Sequence, residues 1–236
     1  MTKEMQTEAQ ITPRYMLLLI GMVPAVSTLY YLLGTHFFQS PLSFEEYLVF
    51  ISLLAIVITG GYQLFFWVQR NNYHYKTRCF VSPLDKFIPF WPSCVWIYSF
   101  LYYAAIGLVV ISIQSITEGV YLIFGGILLL LVQMFFFYFF PFTVPSEYRE
   151  YKDNTISTRY LKFVQAKDNG RNCMPSMHCS VAMYVSLILY SSIGNISWLF
   201  IISIAASCLL VKQHQMADIP PGIALGWIIW MVAPVV

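Results

Sequence analysis

Seven long apolar stretches run through this 236-residue chain and leave few architectures open to it. A helix needs roughly 20 apolar residues to cross a bilayer. Because the stretches lack the period-two alternation of barrel strands, the sequence predicts an all-α bundle of six to seven transmembrane helices. The predicted spans cover residues 15–33, 47–68, 95–113, 120–140, 177–192, 196–211 and 219–235.

Composition excludes most other classes of protein. Only 10% of the residues are charged, whereas soluble domains carry about 25%. The net charge of +2 gives no basic excess for binding nucleic acid. Five cysteines without a C-x-x-C pair indicate neither a disulfide framework nor a thiolate metal site, so we interpret them as small, buried apolar residues. We therefore expect one integral-membrane domain over residues 1–236.

The N-terminal segment does not resemble a cleaved signal peptide. Residues 1–14 are mixed in charge and precede an apolar run longer than a signal hydrophobic region, with no clear small-residue cleavage site after it. We expect this run to be retained as the first span. Pro24 is tolerable there as a kink, and Pro220 and Pro221 suit the first turn of the last helix.

The charges are distributed very unevenly along the chain. If all seven spans cross, the N-terminus, the long loops 69–93 and 141–175, and the turn 212–218 share one side. That side holds all 13 Lys and Arg residues, and the other side holds none. The positive-inside rule places the basic side in the cytoplasm. A site that binds phosphate must also be basic, so the sequence leaves the orientation open.

A polar segment leads directly into the fifth predicted span. It ends in Pro175, Ser176, Met177 and His178. Ser can cap the free N–H groups of a helix and Pro suits a first turn, so we expect a helix to start here. The N-terminus of a helix attracts anions through its N–H groups and its dipole. His178 is expected to project from this first turn toward an anion held there.

A second polar cluster links the last two spans and contains Lys212, His214 and Asp218. His214 and Asp218 are four residues apart, so in a helical turn they would lie on one face and touch. A carboxylate that fixes one imidazole nitrogen leaves the other as a nucleophile or base. Ionisable groups within a membrane are costly and are functional by default, so this pair is a candidate site. No other histidine has ligand-like spacing, and we predict no metal site.

The two clusters resemble the motifs of the type 2 phosphatidic acid phosphatase superfamily of integral-membrane lipid phosphatases and phosphotransferases. Its second motif has the form P-S-x-H, and its third ends H-x-x-x-D. The matching residues are Pro175, Ser176, His178, His214 and Asp218. The motifs are thus expected within residues 141–218. Residues 82–92 further resemble the early loop of the branch that contains sphingomyelin and inositol-phosphorylceramide synthases.

The resemblance implies a phosphohistidine mechanism, in which His214 attacks phosphorus, Asp218 orients it, and His178 protonates the leaving oxygen. The charge that develops on the phosphoryl group must be neutralised. The candidates for binding the phosphate are Lys212, Ser176, Arg171 and Arg149. The chain departs from the family where Met177 replaces a Gly and Cys208 replaces an Arg. The family's first motif cannot be located, and Arg149 is its best positional match, followed by Arg171.

The resemblance implies a membrane phosphatase that cleaves a lipid or polyprenyl phosphate ester. A phosphotransferase that moves the phospho-headgroup to a second lipid alcohol uses the same covalent step, and a non-enzymatic lipid transporter or binding protein is a third alternative. No metal or organic cofactor is implied, and the expected partners are the lipid substrate and the bilayer. The charge bias suggests a cytoplasmic site, whereas the resemblance suggests an extracytoplasmic or lumenal one.

Overall fold

The computed structural model describes residues 13–233 and consists of α-helices joined by turns and two long loops. The prediction of an all-α membrane protein is confirmed. Most of the predicted N-terminal segment 1–14 and the last residues of the predicted span 219–235 lie outside the described residues. The helices are α1 (Pro13–Phe38), α2 (Phe44–Asn71), α3 (Tyr102–Ser112), α4 (Ile116–Phe139), α5 (Ile156–Lys167), α6 (Met177–Ile193), α7 (Trp198–Leu210) and α8 (Ile219–Val232).

Four helical stretches in the described part of the chain are long and apolar enough to cross a membrane. They are Phe44–His74, Pro92–Ser112, Ile116–Phe139 and Met177–Leu210. The last of these comprises α6 and α7 and is not one straight rod, because Cys179 and Cys208 belong to the same buried cluster. The chain reverses at Gly194, which has a left-handed φ of 59° that favours glycine. The exact number of spans stays a prediction.

The long loop before α6 contains a helix that the sequence analysis did not predict. α5 covers Ile156–Lys167, and Thr155 caps its N-terminus by accepting the N–H of Thr158. One side of α5 buries Leu161 and Gln165 against the bundle. The helix is short and largely polar, so it contributes no long apolar run to a hydropathy pattern.

Close contact between α6 and α8 brings the two polar clusters together. Gly222 and Gly226 lie one turn apart on α8, and a Cβ atom on either would fall 2.6 Å from the carbonyl oxygen of Ser176 or 2.1 Å from that of Ser180, respectively. Small residues at this spacing let two helix backbones approach closely in membrane proteins. The glycines therefore set the position of the α6 N-terminus beside the start of α8.

The polar connections that the sequence assigned to one side meet at one end of the bundle. The N–H of Arg78 donates to the carbonyl of Pro141 at 2.9 Å, and the N–H of Trp91 donates to the carbonyl of Leu210 at 2.8 Å. We call this end the loop end. The opposite end, the turn end, contains the short connections 39–43, 113–115 and 194–197.

The cysteines divide into two groups. Cys173, Cys179 and Cys208 are buried, as the composition argument expected. Cys94 is half-buried, and Cys79 is exposed in the first long loop, so the expectation that every cysteine is buried is wrong for these two. Cys79 lies beyond the end of α2, where the chain has left the helix bundle.

Candidate active site

His214 and Asp218 form a buried pair in the turn between α7 and α8. Nδ1 of His214 lies 3.3 Å from Oδ2 of Asp218, which also accepts the N–H of Gln215 at 2.9 Å. The two residues are 6% and 2% exposed. The spacing suggested one helical turn from His214 to Asp218, but only Met216–Asp218 form a short 3-10 turn. Lys212 instead adopts a left-handed φ of 57°, and the chain turns back toward α8.

His178 lies opposite this pair, at the second position of α6. Ser176 caps the helix by accepting the N–H of Cys179, which confirms the expected helix start, although Pro175 precedes the cap instead of occupying the first turn. The ring centroids of His178 and His214 are 6.1 Å apart. The ring of Tyr98 stacks on His178 at 4.0 Å and fixes its plane. The structure therefore brings the three predicted catalytic side chains together.

The environment of His214 favours its protonated form. Burial by itself lowers the pKa of this imidazole, but the hydrogen bond and the negative charge of Asp218 oppose that effect and raise the pKa above the ordinary histidine value. Because Asp218 holds Nδ1, the other ring nitrogen, Nε2, is available for chemistry once the ring is neutral. The pair thus supplies an oriented nucleophile or base.

Both histidines line a cavity of about 400 Å³ near the loop end. Lys167 and Asp168, at the end of α5, line the same cavity. A second cavity of about 240 Å³, with almost entirely apolar walls, lies between α2, α3, α4 and α6. The residues that line both cavities are Tyr62, Phe65, Tyr102, Tyr103 and Met177. The polar cavity and the apolar cavity are therefore neighbours that share an aromatic wall.

The model of a known family, described as the PAP2 superfamily, matches residues 114–236, which is more than half of the chain. The chain belongs to the PAP2 superfamily. Its members are phosphatases and phosphotransferases that act on phosphate esters, and the match supports the membrane and phosphatase assignments. No curated protein and no solved structure matches the chain. The resemblance to the sphingomyelin synthase branch is not confirmed.

Two of the predicted phosphate ligands of this PAP2 protein are occupied by backbone groups near the histidines. The ammonium group of Lys212 donates to the carbonyls of Asp85 and Ile88 at 3.2 and 2.6 Å. It also lies over the ring of Tyr148. Ser176 is fully buried and uses its hydroxyl oxygen as the cap of α6. Both side chains therefore hold the backbone around the site instead of facing the cavity.

The two predicted arginines are also engaged with backbone carbonyls. The guanidinium group of Arg171 donates to the carbonyls of Asn72 and Tyr75 at 2.9 and 2.8 Å. That of Arg149 donates to the carbonyls of Gln165 and Asp168 at 3.5 and 3.3 Å. These contacts attach the loop before α6 to the segment that follows α2 and to the end of α5. Lys167 is the basic residue that lines the cavity.

Asp85 is a residue whose role the sequence analysis missed. It is 2% exposed, and its Oδ1 accepts the N–H of Met216, in the turn between α7 and α8, at 2.8 Å. Its Oδ2 accepts the N–H of Ser82 at 2.7 Å. Ser82 and Asp85 form a reciprocal cap of the S-x-x-D type, which is the sequence signal that could have marked a buried carboxylate.

Gln133 supports the start of α6 from inside the bundle. This fully buried side chain on α4 donates to the carbonyl of Pro175 and accepts the hydroxyl of Ser180. A buried amide needs such partners because an unpaired polar group in an apolar interior costs several kcal/mol. A single glutamine in an apolar stretch gave no spacing that predicted this role.

A cysteine also lies close to the two histidines. One potential ligand atom from each of His178, Cys208 and His214 lies within 4.8 Å of the others. The sequence analysis predicted no metal site because it considered only ligand spacing along the chain. The three residues come from α6, α7 and the following turn, so their proximity is a consequence of the fold.

Proposed function

We propose that this PAP2 protein is a membrane lipid phosphatase that cleaves a lipid or polyprenyl phosphate ester through a phosphohistidine on His214. The observation that carries the proposal is the buried pair of His214 and Asp218, which faces His178 across one cavity. An imidazole oriented by a carboxylate and placed opposite a second imidazole supplies both a nucleophile and a general acid.

The proposed reaction has two steps. In the first, Nε2 of neutral His214 attacks phosphorus and the bond from phosphorus to the ester oxygen breaks. His178, which is protonated while the phosphate anion is bound beside it, gives its proton to the leaving oxygen. In the second, His178 takes a proton from water, the oxygen of that water attacks phosphorus, and the bond to His214 breaks. Inorganic phosphate is released, and both imidazoles return to their starting states. Asp218 stabilises the positive charge that His214 carries as phosphohistidine.

Positive electrostatic potential for the phosphoryl oxygens comes from the start of α6. Met177 and His178 occupy the first two helical positions, where N–H groups have no acceptor within the helix. Together with the helix dipole they favour an anion. Lys167 adds a full charge at the cavity. This arrangement does not require the predicted phosphate ligands, which bind backbone groups and are Lys212, Ser176, Arg171 and Arg149.

The neighbouring apolar cavity supports a lipid substrate over a small soluble ester. It lies among helices that the chain would place in the membrane, and it shares Tyr62 and Tyr102 with the cavity of the histidines. A hydrocarbon chain that entered this cavity would be stabilised by about 25 cal/mol for each Å² of apolar surface buried. A lipid phosphate could thus place its headgroup beside His214 and its tail between α2, α3, α4 and α6.

The test combines product analysis with trapping of the intermediate. Purified wild-type protein, His214→Ala and the loop control His74→Ala are incubated with a panel of lipid phosphates and phospholipids, and products are identified by mass spectrometry. We expect phosphate release and an acid-labile phosphoryl adduct for wild type and His74→Ala, and neither for His214→Ala. Vanadate should raise the Tm of the wild type.

The possible outcomes separate the alternatives. Turnover that survives in His214→Ala would rule out the phosphohistidine mechanism. Transfer of the phospho-headgroup to an added lipid alcohol, without phosphate release, would replace the phosphatase by the phosphotransferase. The absence of turnover, adduct and vanadate effect in every protein would favour the non-enzymatic lipid-binding alternative.

A further inference from the structure

The proposed phosphatase mechanism uses His178 and His214 but not Cys208, and the three residues together have the chemistry of a metal site. Two imidazoles and a thiolate form the nitrogen and sulfur set that Zn²⁺ prefers. In tetrahedral geometry, Zn–N and Zn–S bonds of about 2.1 and 2.3 Å place ligand atoms roughly 3.4–3.6 Å apart. The observed atoms lie within 4.8 Å of one another, so small side-chain rotations bring them into range.

We propose that His178, Cys208 and His214 bind Zn²⁺ and that the bound ion inhibits phosphoryl transfer. Binding forms one bond from a nitrogen of each imidazole and one from the sulfur of Cys208, whose thiol releases its proton to solvent. The fourth position faces the cavity and takes water or a phosphate oxygen. Three protein ligands and one open position are typical of zinc sites that bind water or a substrate, whereas structural zinc sites have four protein ligands.

The surroundings already orient these ligands. Asp218 holds Nδ1 of His214, which leaves Nε2 for the metal in the carboxylate–histidine–zinc arrangement of many sites. The carbonyl of Cys208 accepts the N–H groups of Gln213 and His214, each at 3.2 Å. These bonds hold the backbone that carries the thiol next to the backbone that carries the imidazole of the turn. Cys208 is fully buried and protected from bulk water.

Inhibition follows from the electron pair of His214. The same lone pair on Nε2 cannot bind Zn²⁺ and attack phosphorus at once, so the ion competes with formation of the phosphohistidine. This half of the proposal rests on the proposed function, whereas metal binding does not. Cys208 adds a sulfur ligand that the two histidines alone would lack.

The first experiment measures metal binding independently of enzymatic activity. Chelator-treated, reduced, full-length protein in detergent is titrated with Co²⁺, whose thiolate bond gives a near-ultraviolet charge-transfer band. We expect the band, at one Co²⁺ per chain, in wild type and in the control Cys94→Ser, which removes a half-buried thiol outside the cluster. Cys208→Ser, Cys208→Ala and His178→Gln should lose the band. Two variants at Cys208 are included in case one of them does not fold.

The second experiment measures inhibition. Each protein's turnover is compared with its own rate in chelator, over a Zn²⁺ titration. Loss of a direct ligand should raise the inhibitory concentration for Cys208→Ser at least about a hundredfold, since loss of an outer partner alone costs up to that factor. Cys94→Ser should match wild type. A band that is absent in wild type, or that persists without Cys208, overturns the site.

The two proposals fail in different ways. If the Co²⁺ band behaves as expected but no protein turns over any substrate, the proposed function fails and the metal site stands. If turnover depends on His214 but Zn²⁺ inhibits Cys208→Ser as strongly as wild type, the inhibitory role of the site fails and the phosphatase stands.

Discussion

The two ends of the helix bundle satisfy their backbone groups in different ways. At the turn end, helix starts are capped locally: Ser43 and Glu46 exchange hydrogen bonds at the start of α2, and Ser115 caps α4. At the loop end, α5 and α6 are also capped locally, and further bonds join distant parts of the chain. Met216 donates to Asp85, which lies 131 residues earlier in the sequence. Local capping makes a rigid turn, whereas long-range bonds can assemble a site from several segments.

The charges at the two ends follow this difference. Glu46 and Glu118 at the turn end accept backbone N–H groups. Lys212, Arg149 and Arg171 at the loop end donate to backbone carbonyls. The concentration of basic residues on one side is therefore explained in part by loop closure, and it does not by itself locate a phosphate site.

The largest expected effect is the difference in activity between a histidine variant at the loop end and one at the turn end. His178→Gln at the loop end removes the proposed general acid, and kcat should fall about 10²- to 10⁴-fold. His36→Gln, in the last turn of α1 at the turn end, should leave kcat unchanged. The measurement is steady-state phosphate release, with Tm recorded for both variants. Equal losses of activity would show that the ends are not functionally distinct.

Asp218→Asn should lower activity and move its pH dependence. The amide no longer fixes the imidazole well, and misplacement of a catalytic group by about 1 Å can cost 10²-fold. The carboxylate is what raises the pKa of His214 against the effect of burial. Without it, burial lowers that pKa, so His214 becomes neutral and nucleophilic at a lower pH.

The check is a profile of kcat/KM against pH in chelator-containing buffer, which keeps the site free of metal. In wild type, activity should be lost as pH falls through the pKa of His214, which the hydrogen bond and charge of Asp218 raise above the ordinary histidine value. In Asp218→Asn this acid limb should shift to lower pH. A limb that stays in place would mean that a different group controls it.

Much of the fold follows from the sequence because membrane helices have a simple requirement. Twenty apolar residues in a row have few other stable states, so the apolar stretches predicted the helices with small errors at their ends. α5 was not predicted because a largely polar helix of 12 residues is stabilised by contacts with other segments. No local pattern records those contacts.

The residues of the candidate site also fall into two groups: those that a local sequence pattern marks, and those that only the fold identifies. His178, His214 and Asp218 could be selected because short spacings and their place at the edges of spans mark them. The basic residues could not be assigned, because Arg171 can donate equally well to a phosphate or to the carbonyl of Asn72. Only the fold decides between them. The proximity of Cys208 to the histidines likewise depends on how α6 packs against α7.

A matched pair of carboxylates tests whether long-range closure supports the site. Asp85→Asn weakens the bond that this carboxylate accepts from the N–H of Met216, and a bond to a charged group is worth about 1.5–3 kcal/mol. We expect kcat to fall roughly tenfold as the turn that carries His214 loosens. Glu118→Gln weakens a bond of the same kind at the turn end, where the carboxylate accepts the N–H of Gln114, four residues earlier in the sequence. It should lower Tm slightly and leave kcat unchanged. Urea unfolding and turnover, measured on both variants, provide the comparison.

The smallest effects compare two serines that perform the same task at opposite ends. Ser115 and Ser176 are both N-caps, and each accepts the N–H of the residue three positions on. Replacing either by Ala should cost about 1 kcal/mol of stability. Ser115→Ala should change nothing else, because its helix begins at the turn end. Ser176→Ala should also lower kcat severalfold, since α6 carries His178 in its first turn. If both variants lose stability and neither loses activity, the α6 N-terminus is held by Gln133 and the α8 glycines, and the cap serves only the helix.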